Sequence, residues 1–142
     1  MQQILVPVDP ANEERTRSAV AEVVRMYRQE PIAIRLVRVQ PRVTSHVAMF
    51  FGHRELQQLQ QQAGAEDLQF AQGLLDAAGV PYTSTVLVGR SAETIAHAAR
   101  EFGCDRIVFG SEQAGLAGRV FGSLAQQVRH LLGPGDAQVI GS

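Results

Sequence analysis

Residues 4–39 read ILVPVDPANEERTRSAVAEVVRMYRQEPIAIRLVRV and carry one complete strand–helix–strand unit. The apolar run Ile4 to Val8 predicts a buried strand. Pro7, near its end, suits only a position that needs no ladder donor. Asn12 to Gln29 predicts a helix, because Ala19, Val20, Val23, Val24 and Tyr27 recur on one face at i, i+4 and i+8 spacing. Ile32 to Val39, bracketed by Pro31 and Pro41, predicts the second strand.

The alternation continues to the C-terminus. Residues 40–53 form a long connection. In it Met49, Phe50 and Phe51 need cover, beneath the following helix, in a dimer or across a cleft. Arg54 to Ala78 predicts a long helix with the apolar line Leu56, Leu59, Ala63, Phe70, Leu74 and Leu75. The glutamines at 57, 58, 60, 61 and 62 supply a solvated face, and Gly79 ends the helix. Tyr82 to Val88, rich in β-branched residues, predicts the third strand. Ser91 is placed to cap a helix to Phe102, with Ala92, Ile95, Ala96 and Ala99 inward. Asp105 to Phe109 predicts the fourth strand, and Ser123 to Leu132 the last helix, stopped by Gly133-Pro134-Gly135. Ala137 to Ile140 predicts a fifth strand. Strict alternation of this kind implies an α/β fold: an open, doubly wound, five-stranded parallel sheet with helices on both faces.

Length and composition agree with one domain over residues 1–142, since 142 residues with 45% hydrophobic content support a single core. The formal net charge of -1 offers no basic stripe for nucleic acid. All 13 basic residues are arginine, so no P-loop lysine exists. The lone Cys104 excludes an intrachain disulfide and a CxxC site, and reads as a small core residue in a reducing compartment. No apolar run approaches the roughly 18 residues of a membrane span. The N-terminal stretch lacks a basic n-region, so the expected address is the cytoplasm. His46, His53, His97 and His130 show no ligand spacing, so no intrinsic metal site is expected. Nothing pairs a nucleophile with a base, and neither HxGH nor SGGxDS occurs. Catalysis is therefore not expected, and any turnover would be slow.

In an open parallel sheet, ligands bind beyond the carboxyl ends of the strands. Two such ends are marked here. One is Pro7-Val8-Asp9. The other is Gly110 to Ser123, GSEQAGLAGRVFGS, with glycines at 110, 115, 118 and 122. Glycines let backbone N–H groups approach a ligand, and a helix start adds unpaired N–H groups and a positive dipole end. Together they suit an anion such as phosphate. Ser123 would cap the helix or donate to a phosphate oxygen. Arg119, and with less reason Arg90, would meet the same anion.

These stretches also resemble a family. ILVPVD at 4–9, Val39, Gly89, DRIVFGS at 105–111 and GSLAQQVRHLL at 122–132 are similar to the universal stress proteins along nearly the whole chain. The resemblance implies strand order 3-2-1-4-5, a homodimer formed through the C-terminal strand, and a role in stress survival. Some members bind ATP through the pattern G-x2-G-x9-G-[S/T]. Carried over, the resemblance implies an ATP or AMP site made by Pro7, Val8, Asp9, Val39, Gly110, Ser111, Gly115, Gly118, Arg119, Gly122, Ser123 and Leu124. Asp9 would accept from ribose hydroxyls or help hold Mg²⁺. It could also cap the first helix, with Pro10 at the first helical position, and the two roles could coexist. Val39 would meet the adenine.

The middle of the pattern departs from the family. Gln113 stands at the second glycine, and eight residues rather than nine separate it from Gly122. One residue of chain spans about 3.5 Å. Gly115 and Gly118 would have to carry the loop to the phosphates by another path. A nucleotide-independent dimeric interaction protein of the same fold is the alternative reading.

Overall fold

The computed structural model describes residues 1–43, 52–111 and 124–141. Its strands are β1 (Gln2–Pro7), β2 (Ile32–Gln40), β3 (Thr83–Val88), β4 (Arg106–Val108) and β5 (Gln138–Ile140). They form one parallel sheet in the order β3-β2-β1-β4-β5. Helices α1 (Glu13–Gln29), α2 (His53–Ala78), α3 (Ser91–Glu101) and α4 (Leu124–Leu131) alternate with them along the described chain. The doubly wound sheet and its expected strand order are therefore observed. The expectations for Met49 to Phe51 and for His46 lie outside the described residues.

Strand alternation divides the core in two. Ile4, Val6, Ile34 and Leu36 face α1 and α2, where they meet Val20, Val23, Met26, Leu68, Ala71 and Leu75. Leu5, Val37 and Ile107 face the opposite way, toward Ile95 and Ala99 of α3 and Ala125 and Val128 of α4. Burying each such large side chain contributes about 1.5–3 kcal/mol, so both helical layers are held mainly by apolar contact.

The structure corrects several local expectations. Asn12, not Asp9, caps α1: its side chain accepts from the Arg15 N–H at 3.0 Å. Asp9 instead closes a tight turn, accepting from the Ala11 N–H at 3.0 Å. Arg90, not Ser91, precedes α3, and Ser91 is its first residue. The buried line of α2 is Gly64, Leu68, Ala71 and Leu75; Leu59 is 45% exposed. Leu59 stands nine residues from Leu68, about half a turn around the helix from the buried line, whereas Leu56 is half-buried in a hollow shared with Val88 of β3. Phe70 lies at the edge of that line, under the guanidinium of Arg17. The glutamine face is not only solvated. Gln60 donates to the carbonyl of Pro41, just past β2, and Gln61 to that of Val86 in the outer strand β3. Gly79 does end α2, in the left-handed conformation (φ 70°), with Val80 N–H bonded to Leu75 O. Cys104 is half-buried, and burial pushes its thiol above the ordinary value.

An ion pair sets the turn before β5. Arg100 of α3 donates to Asp136 at 3.0 Å and to the carbonyl of Leu131 at 2.7 Å. The Arg100 guanidinium, then the Gly133 N–H, hold the Asp136 carboxyl below the usual carboxylate range. A carboxylate depressed in the folded state adds stability above its unfolded pKa and loses it as pH falls through the folded value. Lowering pH from about 5 to about 3 is thus expected to cost wild type more stability than Asp136→Asn, measured as urea midpoints. Equal losses would remove Asp136 from the acid response.

Candidate functional site

β1 occupies the centre of the sheet, with β2 on one side and β4 on the other. The chain leaves β1 toward one helical layer and leaves β4 toward the other. Strand order reverses there, and a crevice opens beyond the strand ends. β1 ends its ladder at Pro7, opposite Val37, and the Val8 N–H closes the edge onto Val37 O at 2.8 Å.

A cavity of about 190 Å³ lies at this point. That is more than ten times the roughly 10–15 Å³ needed for one water. Pro7, Val8 and Asp9 form its β1 side; Val37, Arg38 and Val39 its β2 side; Phe109 and Gly110 its β4 side. Ser91 and Ile95 of α3, Leu124 of α4 and Arg15 of α1 complete it. The walls at Val37, Val39, Ile95, Phe109 and Leu124 are apolar, as a planar ring requires.

Of the residues expected at a site, Pro7, Val8, Asp9, Val39, Gly110 and Leu124 meet around this one cavity. Ser111 does not line it: its N–H donates to Ser18 Oγ at 3.1 Å, and the two hydroxyls lie 3.0 Å apart. Gly115, Gly118, Arg119, Gly122 and Ser123 fall outside the described residues, as does Gln113. Arg90 borders a different hollow, beside Arg42 and Glu93.

Six lining residues escaped the sequence reading: Arg15, Val37, Arg38, Ser91, Ile95 and Phe109. A usable signal existed for some of them. Ser91 and Ile95 stand one turn apart at the start of a helix that follows a strand's carboxyl end, and Arg38 is the charged residue between two buried valines.

Asp9 carries the site's carboxylate. One oxygen is engaged with the Ala11 N–H, while the main-chain carbonyl of Asp9 accepts from the Asn12 N–H at 3.1 Å. Gly110 brings β4 against α1. A Cβ there would overlap the Arg15 carbonyl, so only glycine lets the two backbones meet. Arg38 is held by Asp67 of α2, Nε to Oδ2 at 2.9 Å, and its Nη1 donates to Val39 O at 2.9 Å. Among the described residues no group of three or more His, Cys, Asp or Glu side chains is arranged to hold a metal ion. Nor is any described helix long and apolar enough to cross a membrane.

The sequence profile of the universal stress protein family matches residues 1–132. The chain belongs to the universal stress protein family. None of the curated proteins matches it. Solved structures of the fold are similar over almost all of the chain. A universal stress protein from Archaeoglobus fulgidus in complex with dAMP is 20% identical (TM-score 0.66, covering 99% of this chain and 97% of that one). A family protein from Arabidopsis thaliana with AMP bound is 18% identical (TM-score 0.62, covering 99% and 92%). A universal stress protein in complex with cAMP is 15% identical (TM-score 0.66, covering 99% and 95%). At these identities the likeness establishes this universal stress protein's fold.

Proposed function

We propose that the cavity binds an adenine nucleotide, AMP or ATP, and that this protein acts in the stress response as such a binding module. The observation that carries the reading is the convergence of three strand ends and α4 on one cavity with apolar walls and a carboxylate. Family structures in complex with cAMP, dAMP and AMP support it. The base would lie between the valines of β2 and Ile95, with its edge toward the Val39 peptide. Asp9 would accept from the ribose hydroxyls through the carboxylate oxygen not committed to Ala11. The phosphates would fall to Gly115, Gly118, Arg119, Gly122 and Ser123, with Mg²⁺ accompanying ATP near Asp9.

The same proposal includes a homodimer in the cytoplasm, paired through β5. β5 ends the sheet, and Val139 and Ile140 are only half-buried. The opposite edge, β3, has its Val86 carbonyl engaged by Gln61 of α2, which leaves β5 the better template for another strand.

Calorimetric titration with AMP and ATP tests the reading. Binding at sub-millimolar concentrations is expected, with stabilisation of about 2.7 kcal/mol at a hundred times the dissociation constant. No heat and no rise in melting temperature would overturn it. That result would favour the nucleotide-independent interaction protein, the reading supported by Gln113 and the shortened glycine spacing.

A further inference from the structure

The base-facing edge of the cavity differs from a bare strand end. In a strand, carbonyls two residues apart point the same way. Val37 O points toward β1, where it accepts from Val8. Val39 O therefore points in the same direction, past the last β1–β2 pair at Pro7 and Val37, into the crevice. It is the strand-end acceptor that a bound base would meet. Arg38 has already placed a guanidinium N–H on it, at 2.9 Å.

That guanidinium is fixed from behind. Asp67 Oδ2 accepts from Arg38 Nε at 2.9 Å and from Gln40 Nε2 at 3.3 Å. The Arg38 side chain is 22% exposed, so it is largely out of water and also borders the cavity. A carbonyl oxygen has two lone pairs, and one is now spent on a cation. The strand end thus offers a charged donor beside a half-used acceptor. An exocyclic amino group brings its own N–H toward that donor. An exocyclic oxygen instead accepts from it, in a hydrogen bond strengthened by charge.

We propose that Arg38 is a base-specificity residue that opens the cavity to 6-oxopurine nucleotides, represented by IMP, as well as to adenine nucleotides. This rests on the reading of the cavity as a nucleotide site. Asp67 acts through Arg38 as a positioning residue.

The test compares AMP, IMP and purine riboside monophosphate, which carries only hydrogen at C6, by calorimetric titration of the whole chain. IMP is expected to bind at least as tightly as AMP, and about tenfold more tightly than the unsubstituted purine nucleotide. Arg38→Met is expected to shift the AMP-to-IMP affinity ratio about tenfold toward AMP. Because the three nucleotides are compared on the unaltered protein, the proposal stays testable even if Arg38→Met fails to fold. AMP binding tenfold tighter than IMP would overturn it, as would equal binding of IMP and the unsubstituted nucleotide, or an unchanged ratio in folded Arg38→Met. If none of the three binds, the nucleotide reading itself fails, and the proposal with it.

Discussion

Gly110→Ala is expected to lower the stability of this universal stress protein by about 3 kcal/mol, at the upper end of what overpacking costs. The added Cβ would fall on the Arg15 carbonyl, with the Arg15 Cγ also in its way. Main chain cannot swing aside as a side-chain tip does. Arg15 lies in the first turn of α1, where the Asn12 side chain caps its N–H. Gly110 is itself buried directly after β4, and Phe109 beside it bonds to Ile140 of β5. Relief would therefore require α1 to lift from the sheet or β4 to slide against β5. The expected fall in melting temperature is roughly 10 °C for a chain of this size. Thermal and urea unfolding of the two proteins measure it. A change below about 0.5 kcal/mol would show that the approach of α1 to Gly110 is not a constraint.

Asp9→Ala is expected to weaken AMP binding by roughly 10- to 100-fold, the worth of hydrogen bonds to a charged group. Its effect on folding should be small, about 1 kcal/mol or less, because Asn12 rather than Asp9 caps α1. The turn loses only the contact from the Ala11 N–H. The decisive comparison uses nucleotides lacking a ribose hydroxyl. If Asp9 reads the ribose, wild type should discriminate AMP from its 2′- and 3′-deoxy forms, and Asp9→Ala should not. Unchanged discrimination in the variant would assign Asp9 to the turn alone.

These two residues illustrate how much of the site could be read from the chain. Asp9 and Gly110 were legible because each ends an apolar run, and ligands gather at the carboxyl ends of parallel strands. The role of Gly110 was not. A glycine opening a loop suggests ligand approach, whereas its position here is set by the backbone of α1, 95 residues earlier in the chain. The cap of α1 shows the same limit at short range. Asp9-Pro10 and Asn12 are both good helix starts, and the choice fell to whichever side chain met an orphan N–H once the chain had turned off β1. In α2, Leu59 belongs to the apolar residues of the sequence yet faces away from Leu68, nine residues on, and stays exposed, while Gly64 sits in the core line with Val86 pressed against it.

The sequence by itself determined the kind and succession of the elements, since strand and helix periods are local properties of neighbouring residues. The alternation made the sheet parallel, and the resemblance carried in ILVPVD, DRIVFGS and GSLAQQVRHLL supplied the strand order, which alternation leaves open. Only the tertiary structure decided which side chains meet in the crevice. Arg15, Arg38, Ser91, Ile95 and Phe109 come from four segments far apart in the chain, and no local pattern records that their distances are short. The bond from Arg38 to Val39 O is the clearest case. The two residues are adjacent in sequence, yet the contact exists because Asp67, from a helix packed on the opposite side of the sheet from Ile95, holds the guanidinium over the strand end.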